Sequence, residues 1–286
     1  MGLKKNLFVW IGLFFVLLLA SCSQAAEPVN QDVKKTGSNE KQTDLTLEQV
    51  IHKSKEASDK VKSFAMKTEI QQDIKSTQEE PVKLHSAIDM SVVNEPFVFY
   101  QKLTTEMEPE NEPYETEAYF TVDGMYFFEK ESETWMKFPA EMSDQLLRMS
   151  GEKTNPAEEL NRVQEYVDDF SFTQNNSSYL IHFTSSKERF NDFFKEIINE
   201  TIPNQLAGDN NVLNTLKFSE VTYELDIDKK TYLPSKLRVS MNIELETEGQ
   251  SIKLRQEMKS HYSNYNKIGE IKIPQEAIDT AVEMEM

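Results

Sequence analysis

The stretch FAMKTEIQQDI, residues 64–74, puts Phe64, Met66, Ile70 and Ile74 on one side of an extended chain and Lys67, Glu69, Gln71 and Asp73 on the other. A period of two held this long is the mark of a β-strand with one dry face and one wet face. The next run repeats it, with Val82, Leu84, Ile88, Met90 and Val92 set against Lys83, His85 and Asp89. Phe97, Phe99, Leu103 and Met107 continue the series, followed by Tyr114, Ala118, Phe120 and Val122. Asp123 and Gly124 tolerate positive φ and sit between two apolar runs, so they predict a hairpin that turns residues 125–130 back on residues 116–122. A strand over residues 134–138, carrying Trp135, closes this meander.

The last third of the chain has the same period. Val221, Tyr223, Leu225 and Ile227 alternate with Glu220, Glu224 and Asp226. Leu237, Val239, Met241, Ile243 and Leu245 alternate with Arg238, Asn242, Glu244 and Glu246; Ile252, Leu254, Met258 and Tyr262 alternate with Lys253, Arg255, Glu257 and Lys259. Hairpins about residues 228–230 and Gly249 would set acids opposite bases on the wet side. Ile271 and Ile273, before Pro274, predict a short final edge segment.

Between the meanders the spacing becomes helical. Met142, Leu146, Leu147 and Met149 predict a short helix, and Asn155, Pro156 and Glu158 open another through Leu160, Val163 and Val167. Tyr179, Ile181 and Phe183 predict a strand. Ser185 and Glu188 then form a capping pattern ahead of Phe190, Phe193, Phe194, Ile197 and Ile198, a stripe rich enough in phenylalanine to need cover from the sheet or a ligand. A further helix is expected from Leu45, capped by Thr46 or Asp44, with a narrow stripe of Leu47, Val50 and Ile51. The fold class expected is mainly β with helices (α+β). It is a strongly curved antiparallel sheet forming an unclosed half-barrel with helices over the concave face, and residues 44–286 make a single domain.

Upstream, Lys4 and Lys5 precede an apolar run from Leu7 to Ala20, with no acid before Glu27. The run is shorter than the roughly 20 residues that cross a bilayer. Leu19, Ala20 and Ser21 before Cys22 read as a lipobox. Residues 1–21 are expected to leave as a signal peptide, and Cys22 to carry a diacylglyceryl group, whose two chains suffice for stable residence on a membrane. Residues 22–43 then form a polar tether with a mean span of about 25 Å. The expected location is the outer face of the cytoplasmic membrane. Cys22 is the only cysteine, so an intrachain disulfide and a thiolate metal cluster are excluded.

The formal charge is −18, and two units more negative once Lys4 and Lys5 leave with the leader. Nucleic acid, whose binding relies on Lys and Arg, is excluded on this balance, and so is broad electrostatic adhesion to anionic headgroups. His52, His85, His182 and His261 lack ligand spacing, and the acids around Pro109 and Pro113 (Glu106, Glu108, Glu110, Glu112, Glu115 and Glu117) lack the order of a calcium loop, so no metal is expected. There is no phosphate loop, nucleophile elbow or zinc-binding helix motif, and neither an enzyme nor a cofactor is expected.

The order of helix, long meander, helical insertion and second meander resembles the LolA and LppX type of lipoprotein fold. So do the segment from Ile227 through Thr231, Leu233 and Pro234 to Leu237, and the closing run from Tyr262 to Pro274. The similarity is greatest to Gram-positive membrane lipoproteins of that type. It covers roughly residues 45–281 and implies an unclosed β-barrel whose apolar concave face, lidded by helices, holds acyl chains. Candidate lining residues are Phe64, Met66, Met90, Phe97, Phe99, Phe120, Phe190, Phe193, Phe194 and Ile197, although stripes at these spacings are ordinarily core. Two functions remain open. A monomeric anchored protein binds a lipid or other long apolar ligand in the concavity, or a non-enzymatic surface lipoprotein docks a protein partner and has no functional cavity.

Overall fold

The structure, a computed structural model, describes residues 45–77, 80–109, 112–139, 169–185, 217–247 and 250–284. Helix α1 (Leu47–Ser58) is followed by strands β1 (Ser63–Ser76), β2 (Val82–Asn94), β3 (Phe97–Glu108), β4 (Tyr114–Thr121), β5 (Gly124–Glu129) and β6 (Thr134–Lys137). Then come β7 (Asp169–Gln174), β8 (Ser178–Ser185), β9 (Lys217–Asp228), β10 (Pro234–Thr247) and β11 (Gln250–Ser263), and finally helix α2 (Gln275–Thr280) and the two-residue β12 (Val282–Glu283).

The twelve strands among the described residues lie in one curved sheet, in the order β12-β6-β5-β4-β3-β2-β1-β11-β10-β9-β8-β7. Its two edges, β12 and β7, do not pair with each other. The two meanders are joined where β1 meets β11, antiparallel and in unbroken register from Ala65 opposite Ser263 to Ser76 opposite Ile252. The expected acid–base ladders occupy the outer face: Lys67 reaches Asp89 at 2.7 Å, Arg238 reaches Glu224 at 2.9 Å and Lys253 reaches Glu244 at 3.0 Å. Exposed as they are, each adds only about 0–1 kcal/mol.

The inner face is dry because the alternation holds. Ile70, Ile74, Leu84, Ile88, Leu103, Tyr179, Ile181, Phe183, Leu225, Leu237 and Met258 join Leu47, Val50 and Ile51 of α1 in one buried cluster, so the helix lies on this face. Of the two capping residues considered, Thr46 does the work. Its hydroxyl accepts from the Gln49 backbone N–H at 3.3 Å and the Gln49 side chain accepts from the Thr46 backbone N–H at 2.9 Å. Thr46→Ala should therefore cost about 1 kcal/mol in urea denaturation. An unchanged midpoint would mean that this helix end does not depend on the cap.

Four expectations need correction. Ile271 and Ile273 form no strand; the edge is completed by Val282 and Glu283, which pair parallel with Met136 and Lys137 of β6. The β4–β5 turn is Val122–Asp123, with Gly124 already paired to Thr121 at φ 126°. Helices do not serve one face alone: Ala277 of α2 packs with Tyr126 and Trp135 on the outer face, beside Tyr119, Phe128 and Ile273. The outer face is thus wet over most of the sheet but aromatic at β3 to β6. There Tyr100 and Tyr119 lie 4.7 Å apart and Phe128 and Trp135 4.9 Å apart. Finally, β7 was not expected, because only Phe170 and Phe172 signal its alternation. The predicted helices over residues 142–167 and 190–198, the lipobox and the tether lie outside the described residues.

Candidate functional site

The registers show what the strand period alone could not, namely which inward side chains become neighbours. Phe64, Val92, Phe99, Phe120 and Met125 oppose one another across β1 to β5 as one rung. The next rung runs Met66, Met90, Gln101, Ala118, Phe127 and Met136 across β1 to β6, and Tyr262 of β11 faces Met66. Phe97 joins the first rung through its ring, 6.1 Å from Phe99 and 5.8 Å from Phe120. All six described lining candidates, Phe64, Met66, Met90, Phe97, Phe99 and Phe120, therefore fall in one patch. Phe190, Phe193, Phe194 and Ile197 lie outside the described residues.

The patch differs from the core beside it. Met66 and Phe120 are buried, Phe120 completely, yet neither belongs to the cluster gathered under α1. Phe64, Met90, Phe97, Phe99, Met125, Phe127 and Met136 are only half-buried. The patch carries no charge: burial pushes the Tyr262 phenol far above its usual pKa and keeps it neutral. Methionine adapts to irregular shapes and stacked phenylalanine rings are rigid, so this surface can accept hydrocarbon of varied outline.

The inner face is not wholly apolar, a feature the alternation of apolar residues passes over. Thr68 and Gln72 occupy inward positions of β1, where each is 2 % exposed. The Thr68 hydroxyl lies 2.8 Å from that of Ser260, the Gln72 amide donates to the Gln256 amide oxygen at 2.8 Å, and the Ser86 and Thr105 hydroxyls lie 2.9 Å apart. These pairs satisfy groups whose burial would otherwise cost a few kcal/mol each. Gln101, in the middle of the second rung, is 8 % exposed, and no described group hydrogen-bonds its amide.

A concavity lies on the outer face at the other end of β1, β2, β3 and β11. It has a volume of about 660 Å³ and is lined by Gln71, Asp73, Lys83, His85, Glu106, Glu108, Arg255 and Glu257, with Glu112 and Pro113 at the β3–β4 turn. Lys83 pairs with Glu108 at 3.3 Å and Arg255 with Glu257 at 2.8 Å, and the His85 ring lies 3.8 Å from Glu106; acids outnumber Lys and Arg in the lining. Of the neighbouring acids, Glu115 is held below the usual carboxylate range by hydrogen bonds from Lys130 and Lys102. Among the described residues no group of three His, Cys, Asp or Glu side chains is placed to hold a metal ion.

The model of a family described as a family of unknown function (DUF6612) matches residues 46–282. No curated protein matches the chain. Among solved structures the chain is similar to LprF from Mycobacterium bovis, at 13% identity and TM-score 0.41, over 80% of this chain and 96% of that one. It is also similar to a β-barrel-like protein of another family of unknown function, DUF1849, from Brucella abortus, at 7% identity and TM-score 0.22 over 71% and 98%. A LolA superfamily protein from Nitrosomonas europaea matches at 10% identity and TM-score 0.17 over 75% and 93%.

Proposed function

The chain belongs to the DUF6612 family, whose function is unknown, and on that premise we propose that it binds a lipid or another long apolar ligand on the inner face of its sheet. We further propose that it does so as an extracytoplasmic protein anchored through a diacylglyceryl group on Cys22. The observation that carries the binding reading is the patch of two adjacent rungs. Within it Phe64, Met90, Phe97, Phe99, Met125, Phe127 and Met136 stay half-buried although they are aromatic or methionine, whereas the side chains of the main core cluster are buried. Six strands at about 4.8 Å spacing give a rung on the order of 24 Å long, the scale of an extended acyl chain. Binding would remove this apolar surface from water at roughly 25 cal/mol per Å². Anchoring is supported by Lys4, Lys5, the apolar run and Leu19–Ala20–Ser21–Cys22.

The test is extraction of the purified chain with organic solvent, followed by mass spectrometry. Cys22→Ser is introduced so that acyl chains on the anchor do not enter the count. A stoichiometric lipid is expected, and Phe99→Asp, which sets a charge in the first rung, should lower the yield at least about tenfold through the cost of burying a carboxylate. A lipid-free extract from folded, monodisperse protein would remove the reading and leave docking of a protein partner.

A further inference from the structure

We propose that Gln101 selects the ligand, and that this ligand is an acyl lipid carrying an ester carbonyl beside a free hydroxyl, the pattern of an acylglycerol. The inference rests on the binding reading above and adds the polar half of the ligand. Every neighbouring inward pair that could be left unsatisfied is closed within the sheet: Thr68 with Ser260, Gln72 with Gln256, Ser86 with Thr105. Gln101 lies in the same region, between Met90 of β2 and Ala118 of β4, with its amide unclaimed by any described group. The Gln101 amide is not fully enclosed and still reaches solvent; a hydrocarbon chain laid over Met66, Met90, Ala118 and Phe127 would strip that water away and require a compensating contact from the ligand.

The amide constrains what that contact is. Its N–H group donates and its carbonyl accepts, so one ligand group must accept and another donate within a few ångströms of each other. A fatty chain alone offers neither. A carboxylate offers only acceptors and would bring an uncompensated charge into a patch that holds none. An ester carbonyl next to a hydroxyl offers both, neutral, at the head of a hydrocarbon chain that can follow the two rungs. Thr116, on the same inner face of β4 and 4 % exposed, adds a further hydroxyl near that position.

The experiment measures displacement of cis-parinaric acid from the purified Cys22→Ser chain by 1-monooleoylglycerol and by its ether analogue, which keeps the chain and both hydroxyls but lacks the carbonyl. The parent should prefer the ester about tenfold, the value of one hydrogen bond in a dry site. Gln101→Leu should bring ester and ether to the same affinity, the ester losing about tenfold more than the ether because the ether forfeits only the hydroxyl contact. Equal affinity for ester and ether in the parent, or an equal loss of both in Gln101→Leu, would overturn the assignment while leaving apolar binding intact. Failure of cis-parinaric acid and of both glycerol lipids to bind the folded parent would overturn the binding reading itself. Gln101→Glu supplies a second variant of nearly the same shape: its charge should weaken both ligands, and tighter binding of either would count against the assignment.

Discussion

Phe120→Ala should lower the free energy of unfolding by about 3–5 kcal/mol, the range for truncating a fully enclosed aromatic side chain. Phe120 is 0 % exposed. Its ring stacks on Phe99 at 5.4 Å with 20° between planes and meets Phe97 at 5.8 Å, so its removal also takes away aromatic pairing. The backbone limits relaxation: Phe120 is paired to Phe99 on one side and to Met125 on the other, one residue from the β4–β5 turn. The hole cannot close without breaking a rung. Urea denaturation checks this, with the midpoint falling and the slope unchanged. A loss below about 1 kcal/mol would mean that the first rung is loosely packed, and the distinction between rigid aromatic rung and adaptable methionine rung would fail with it.

The second large effect is expected where the two meanders join. Gln256→Leu should cost roughly 1–3 kcal/mol, because it strands the Gln72 amide at 2 % exposure beside an apolar group. Adding Gln72→Leu should recover most of that loss, since two apolar side chains of similar size need no partners. A double-mutant cycle reads the coupling directly. Additive losses would show that the two amides are not each other's partners in solution. The pair, with Thr68 and Ser260 four residues along, also fixes pairing between segments 184 and 192 residues apart in sequence. A slip of one residue would set these polar groups on the outer face and bring charged neighbours such as Asp73 and Arg255 inward, so the polar pairs add register where hydrophobicity alone is tolerant.

Much of the site was legible in sequence. The alternation from Phe64 onward identified inward residues of β1 to β4, and all six described lining candidates were drawn from it. It passed over Thr68, Gln72, Ser86 and Gln101, because a search for apolar period two skips the polar residues that share the same positions. It also missed the aromatic outer surface. Tyr119, Phe128 and Trp135 occupy positions that the period assigns to water, and α2 packs with them in one cluster, while Tyr100 lies against Tyr119. Separating patch from core was beyond the pattern as well, because Ile70 and Met66 have the same period and are both buried, yet only Ile70 joins the cluster that includes α1.

By itself, the sequence determined local geometry: extended strands with one inward face, a capped helix ahead of them and a turn between β4 and β5. These follow from the two-residue repeat of a strand and from side-chain hydrogen bonds spanning three residues, and both are short-range. Only the tertiary structure decided that β1 meets β11, that the sheet stays open between β12 and β7, and that Gln101 sits unclaimed among methionines and phenylalanines. Each of these depends on contacts between residues far apart in the chain, whose side chains acquire their neighbours, and therefore their solvation and chemistry, only when the strands come into register.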